Sequence, residues 1–108
     1  MLKEKTEPGM ITRIVKMEFK YDQVDLFLEK FSRHAEKMKT VTGQVSLQIV
    51  KDLKESNILF TISEWHSEED LNIYRSSFLF KQIWSEVKPL FCAKAQAWTT
   101  QSIYHARN

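Results

Sequence analysis

Arg13, His34 and Tyr74 are the residues of this 108-residue chain whose types and positions could do chemistry. An unperturbed imidazole titrates near neutrality, so a histidine beside a cleft is the natural general base. His34 lies on the border of an apolar helical stripe, whereas His66 beside a helix cap and His105 in the tail read as surface residues. The ordinary alternative for His34 is half-exposed packing. Arg13 interrupts the apolar face of a strand. It would either hold an anionic group or stabilise an enolate, or snorkel past the sheet edge and pair with Glu64 or another carboxylate. Tyr74 offers a hydroxyl for proton transfer, or is a core-edge tyrosine with that hydroxyl satisfied. Val15 and Met17, on the face of Arg13, and the rings of Phe78 and Trp84 are the expected substrate-contacting walls. Trp65 and Phe80 are expected to build core instead.

These residues need elements to position them. From Met10 onward Ile11, Arg13, Val15, Met17 and Phe19 alternate with Thr12, Ile14, Lys16, Glu18 and Lys20, the period of a half-buried strand. Val24, Phe27, Leu28, Phe31, Ala35 and Met38 recur at spacings of three and four, which predicts one continuous helical stripe capped by Asp22 and ended by Thr42-Gly43. Val45, Leu47 and Ile49 alternate in a second strand. The polar turn from Asp52 to Asn57 leads into a third, Ile58 to Trp65. Ser67 with Asp70 three residues on is a capping-box-like start for a short helix. Ser76 precedes a second run (Phe78, Phe80, Ile83, Trp84) that ends near Pro89. Cys92 to Tyr104 reads as a long last strand. Residues 1–9, polar and closed by Pro8-Gly9, read as a disordered leader, with 10–105 as the single domain and Met10 as an alternative start.

Bulk properties narrow the partners. Sixteen basic and fourteen acidic residues give a net charge of +2, and the positive charges are dispersed among acidic neighbours. That is a solvated surface, not a phosphate-tracking stripe, so no nucleic-acid partner is expected. No apolar run has the length of a membrane span or the form of a signal peptide. One cysteine, Cys92, excludes an internal disulfide and suits a reducing compartment. The expectation is a soluble, cytoplasmic protein without a membrane partner. There is no Gly-rich dinucleotide fingerprint, no P-loop and no His/Cys/Asp cluster with metal-ligand spacing, so neither cofactor nor metal is expected.

The order strand, helix, strand, strand, helices, strand predicts an α+β fold. It is the ferredoxin-like split βαβ arrangement, an antiparallel four-stranded sheet with helices on one face. Ile14, Val50, Trp98 and Tyr104 are expected to mix with polar residues on the other face. Such a face is suited to a two-fold homodimer, with Trp98 in the interface; the alternative is a monomer with one wet sheet face.

Several segments together resemble a known family. They are Met10-Ile11-Thr12-Arg13-Ile14-Val15-Lys16-Met17, the Val24…Phe27-Leu28…Phe31 helix, Gly43, Ser63-Glu64-Trp65 through Tyr74-Arg75-Ser76, Phe80…Trp84…Lys88-Pro89-Leu90-Phe91, and Ala97-Trp98. In these the chain is similar to the antibiotic biosynthesis monooxygenase family of the dimeric α+β barrel superfamily. The resemblance implies a cofactor-independent monooxygenase acting on a quinol-like or polyketide-like small aromatic ligand. In that chemistry a base removes a phenolic or enolic proton, the anion reduces O₂, and an apolar pocket holds the pair. It also places Tyr74 at a pocket position, with His34 or Tyr74 in proton transfer and Arg13 near the developing oxyanion. A non-catalytic small-molecule-binding or sensing dimer of the same fold is the alternative.

A haem-degrading branch of the same superfamily is implied less well. Its pattern asks for an Asn on the first strand, a Trp in the short helix and a His in Phe-Lys-x-x-His. This chain has Val15, Tyr74 and Trp84 there, which leaves no imidazole to ligate iron.

Overall fold

Strict alternation settles which way the central strand faces. In the computed structural model, which describes residues 10–106, β1 (Ile11–Glu18) lies between two antiparallel neighbours. The expected leader, residues 1–9, falls outside the described residues. β2 (Gln44–Lys51), β3 (Ile58–Trp65) and β4 (Gln96–Gln101) complete a four-stranded sheet in the order β2-β3-β1-β4. The helices are α1 (Val24–Ser32), α2 (Ala35–Met38), α3 (Glu68–Arg75) and α4 (Phe78–Val87). This is the expected α+β, ferredoxin-like architecture.

Pairing register assigns each side chain to a face. Arg13 lies opposite Ser63 and Thr99, Val15 opposite Thr61 and Ala97, and Met17 opposite Leu59. Those residues share the helix-covered face. There Met17, Phe19 and Leu59 pack against Phe27, Met38, Ile83, Val87 and Leu90 in one core. Removing a ring as large as Phe27 from such a core costs about 3–5 kcal/mol. A second cluster, Ile11, Trp65 and Leu71, closes the other end of the sheet. The opposite face carries Ile14, Ile62 and Trp98 in one row and Lys16, Phe60 and Val50 in the next.

Four sequence expectations are corrected in detail. The long helical stripe is broken: α1 ends at Ser32, Arg33 and His34 form a turn, and α2 restarts at Ala35. Asp22 caps nothing; it lies in a 3₁₀ turn, Tyr21–Gln23, and accepts a hydrogen bond from the Gln23 side chain. The cap of α4 is Ser77 rather than Ser76. Its Oγ accepts from the Phe80 N–H at 3.1 Å, while Ser76 closes α3. The last strand is shorter than expected. Phe91 bridges Phe19, but the ladder from Gln96 runs in a different register, and the two surplus residues are taken up where Cys92–Ala95 leaves the sheet.

The Ser67–Asp70 cap forms as expected. Ser67 Oγ accepts from the Asp70 N–H and donates to the Asp70 carboxylate, both at 3.1 Å. Among the described residues no helix is long and apolar enough to cross a membrane.

Gly43, which ends the α2 section, has φ +83°, and a Cβ there would overlap the Asp70 carboxyl group. It joins α2 to β2 while its carbonyl accepts from the His66 N–H. Gly43→Ala should therefore lower stability by about 1–3 kcal/mol, through left-handed strain and displacement of Asp70 from its cap. Urea unfolding at neutral pH measures this; an unchanged midpoint would contradict the close approach.

Candidate functional site

Between the sheet and the helices lies a cavity of about 340 Å³, in the range of small-molecule sites (roughly 300–1,000 Å³). Its floor is the Arg13–Val15–Met17 face of β1 with Thr61 and Ser63 of β3 and Ala97 of β4. Phe27, Phe31 and Met38 wall one side, and Tyr74, Phe80, Ile83 and Trp84 wall the other. The second wall is an aromatic series. Trp65 stacks on Tyr74 with centroids 5.3 Å apart, Tyr74 meets Phe80 edge-on at 5.3 Å, and Phe80 stacks on Trp84 at 6.0 Å. A flat conjugated ligand is the complement of such a surface.

Of the sequence-predicted residues, Arg13, Val15, Met17, Tyr74 and Trp84 come together here. Two do not. Phe78 is 80% exposed because the inward stripe of α4 is Phe80, Ile83, Trp84 and Val87, and Phe78 is out of phase with it. His34 is not a half-exposed border residue but 7% exposed, and it does not line the cavity. The turn at Arg33–His34 aims its imidazole at α4, where Nε2 lies 3.0 Å from Glu86 Oε1. That pair ties the α1–α2 junction to the helix carrying Trp84. The candidate general base thus stands outside the cavity lining, hydrogen-bonded to Glu86.

Tyr74 keeps its place at the cavity but changes its chemistry. Its hydroxyl donates to Met38 Sδ at 3.4 Å, and burial pushes its pKa up to about 12. At neutral pH it keeps its proton and presents a donor and a ring to the cavity. Arg13 does not pair with Glu64. Glu64 is opposite Thr12, on the other face of the sheet, and accepts from Ser46 Oγ at 2.6 Å. Arg13 instead donates to Thr99 Oγ1 at 2.6 Å. Loss of water, and then the charge of Arg75, lowers its pKa from the usual arginine value, although a guanidinium remains a cation at any working pH.

Phe80 and Trp65, expected only in the core, also line the cavity, and two polar cavity residues escape sequence reasoning. Arg75 closes α3 one turn beyond Leu71, and that spacing of four was the available signal. Gln44 had none. A β-bulge between Gln44 and Ser46 shifts the register of β2, so Gln44 pairs with Trp65 and Val45 is turned outward. The Gln44 side-chain amide nitrogen is buried and without a partner among the described residues.

No group of three His, Cys, Asp or Glu residues that could hold a metal occurs among the described residues. No imidazole lines the cavity, so the residues present do not fit a proximal haem ligand. Cys92 is exposed, and its thiol donates to the Phe19 carbonyl, not toward the cavity.

Comparison with known proteins agrees with this architecture. The family model described as antibiotic biosynthesis monooxygenase matches residues 10–84. A protein of Nitrosomonas europaea, provisionally assigned as an antibiotic biosynthesis monooxygenase, superposes with a TM-score of 0.82 at 13% identity, over 91% of this chain and 94% of that one. One of Caulobacter crescentus CB15, assigned in the same provisional way, gives 0.81 at 16% identity, over 93% and 95%. A conserved protein of Methanosarcina mazei Go1 gives 0.80 at 20% identity, over 85% and 91%. These likenesses establish the fold. No curated protein matches the chain.

The His34–Glu86 pair makes a pH prediction. The hydrogen bond from His34, ahead of the surrounding charges, holds the Glu86 pKa below its ordinary 4.5. A carboxylate depressed in the folded state stabilises above its unfolded pKa, and that stability is lost as pH falls through the lower folded value. Wild-type stability, followed by urea unfolding, should drop as pH falls below 4.5, and Glu86→Gln should lack that component of the slope. Parallel slopes would exclude the coupling.

Proposed function

The chain belongs to the antibiotic biosynthesis monooxygenase family, and from that premise we propose that it oxygenates a quinol-like or polyketide-like aromatic without a cofactor. The observation carrying this reading is the aromatic series of Tyr74, Phe80 and Trp84 lining the same apolar cavity as Arg13. The ring stacks on the aromatic wall with its phenolic or enolic oxygen toward Arg13.

No aspartate, glutamate or histidine lines the cavity, so the first proton passes to water. Arg13 favours the anion by charge, in a site that excludes most water. The electron-rich anion then reduces O₂ directly. Carbon–oxygen bond formation with uptake of a proton gives a hydroperoxide; loss of water leaves a carbonyl, one oxygen atom remaining in the product and the other leaving in water. Tyr74 holds its proton and orients the ring. The missing carboxylate or imidazole base also favours the second reading, a binding or sensing protein using the same cavity without turnover.

Oxygen uptake with a panel of quinols and anthrones separates the two. Turnover should persist with a chelator present; uptake abolished by the chelator would exclude the metal-free step, and binding without uptake would favour sensing. Arg13→Gln should lower kcat by roughly 10²-fold, the scale of losing one oxyanion donor. Tyr74→Phe should fall well short of that. A loss of about 10²-fold or more would restore Tyr74 to proton transfer.

We also propose that a second copy covers the open sheet face. Ile14, Ile62, Phe60 and Val50 form its apolar centre, Trp98 is 46% exposed beside them, and Lys16, Glu18 and Glu64 supply both signs of charge around it. A two-fold contact requires such a self-complementary patch. Light scattering should find a dimer and Trp98→Arg should shift it toward monomer; a monomeric wild type would sink the assembly.

A further inference from the structure

The polar end of the cavity is chemically one-sided. Arg13 and Arg75 are the charged side chains lining it, both are cations, and no carboxylate lies among the lining residues. Arg13 has a neutral partner, the Thr99 hydroxyl. The Arg75 side chain makes no hydrogen bond or ion pair among the described residues. The carboxylate expected to neutralise Arg13, that of Glu64, is committed to the far side of the sheet by strand register. In the same cavity the Gln44 amide presents a buried N–H group without a partner.

Like charges beside an apolar enclosure repel, and a buried donor left unpaired is costly. A neutral quinol would relieve neither. A phenolate formed during reaction would answer Arg13 alone. An arrangement of two guanidinium groups and an amide donor, with no protein acceptor of full charge, complements an oxyanion that the ligand brings with it.

We propose that the ligand of this cavity is an aromatic hydroxy acid whose permanently ionised carboxylate binds at Arg13 and Arg75, with its ring against Tyr74, Phe80 and Trp84. The inference rests on the reading of the cavity as the substrate site and adds the substrate class. The carboxylate occupies the mouth, where Arg75 is exposed, and the ring fills the apolar interior. The reacting hydroxyl lies ortho to the carboxylate, within reach of Arg13 and of the Gln44 N–H. Arg75 thereby becomes a specificity residue: it recognises charge at the entrance and takes no part in oxygen chemistry.

Titration calorimetry of the full chain with an ortho-hydroxynaphthoate and with the matching naphthol tests this, because the two differ only in the carboxylate. The acid should bind roughly tenfold or more tightly than the naphthol, the scale of a charge-assisted hydrogen bond. Arg75→Gln should weaken the acid several-fold and leave naphthol affinity unchanged, Arg13→Gln should weaken the acid more than the naphthol, and added salt should weaken the acid alone. Arg75 is exposed, so its variant retains the test if Arg13→Gln disturbs folding. Lys54→Gln, exposed in the turn between β2 and β3 and outside the cavity lining, should change neither ligand. Equal affinities in the wild type, or a preference surviving both arginine substitutions, would overturn the proposal, as would failure of the acid to bind. Oxygen uptake in the same samples keeps the readings apart. Selective binding without uptake removes the oxygenase and keeps the anion site, whereas uptake with naphthol at equal affinity does the reverse.

Discussion

The register of β1 against β3 is the constraint on which the rest of the structure depends. A strand turns alternate side chains to opposite faces, so pairing Ile11 with Trp65 and Met17 with Leu59 commits the odd-numbered residues between them to the helix side. Arg13 cannot be withdrawn from that face without moving Val15 and Met17 out of the core with it. The same register sends Glu64 to the other side. A cation is therefore held at the edge of an apolar cavity, while its nearest carboxylate in the ladder is out of reach.

Aromatic packing converts that sheet surface into an enclosed space. Trp65, Tyr74, Phe80, Trp84, Phe91, Phe19, Phe27 and Phe31 touch in sequence, with successive centroids 4.6–6.0 Å apart. The series starts on β3, passes through both α3 and α4, and returns through the end of β1 to α1. Rings are large and stiff, and they hold walls apart where aliphatic chains would collapse inward. Trp65 is fixed further by its indole N–H, which donates to Ser63 Oγ at 2.9 Å. The cavity is what remains between this arc and the small residues of the floor, Ser63, Thr61 and Ala97.

On the helix side, His34 and Glu86 do the work that rings do elsewhere. Their hydrogen bond joins the α1–α2 turn to α4 just beyond Trp84. A histidine sequestered in this way illustrates why residue type alone misleads. The same imidazole would be a base if it faced the cavity, and it becomes a strut because the helix breaks one residue before it.

Periodicity in the chain was enough to establish the strands, the main helices and the core side of β1, because alternation and three-four spacing reflect burial directly. It therefore put Arg13, Val15 and Met17 on the helix side of β1, whereas the pocket position of Tyr74 came with the family resemblance; the fold brings these residues and Trp84 to one cavity. What depended on local hydrogen-bond competition was decided only in three dimensions. The helix cap fell on Ser77 rather than Ser76, and packing the stripe of Phe80, Ile83, Trp84 and Val87 inward left Phe78 outside. The turn at Arg33–His34 redirected the imidazole. The bulge in β2 exchanged Val45 for Gln44, and the surplus residues after Phe91 shortened β4. Each shifts the chain by only a residue or two, too little to disturb a hydrophobic pattern yet enough to turn a side chain toward or away from the cavity. The absence of a carboxylate opposite Arg13 and Arg75 belongs to the same class, since it is set by which strands pair and in what register, and no spacing along the chain records that.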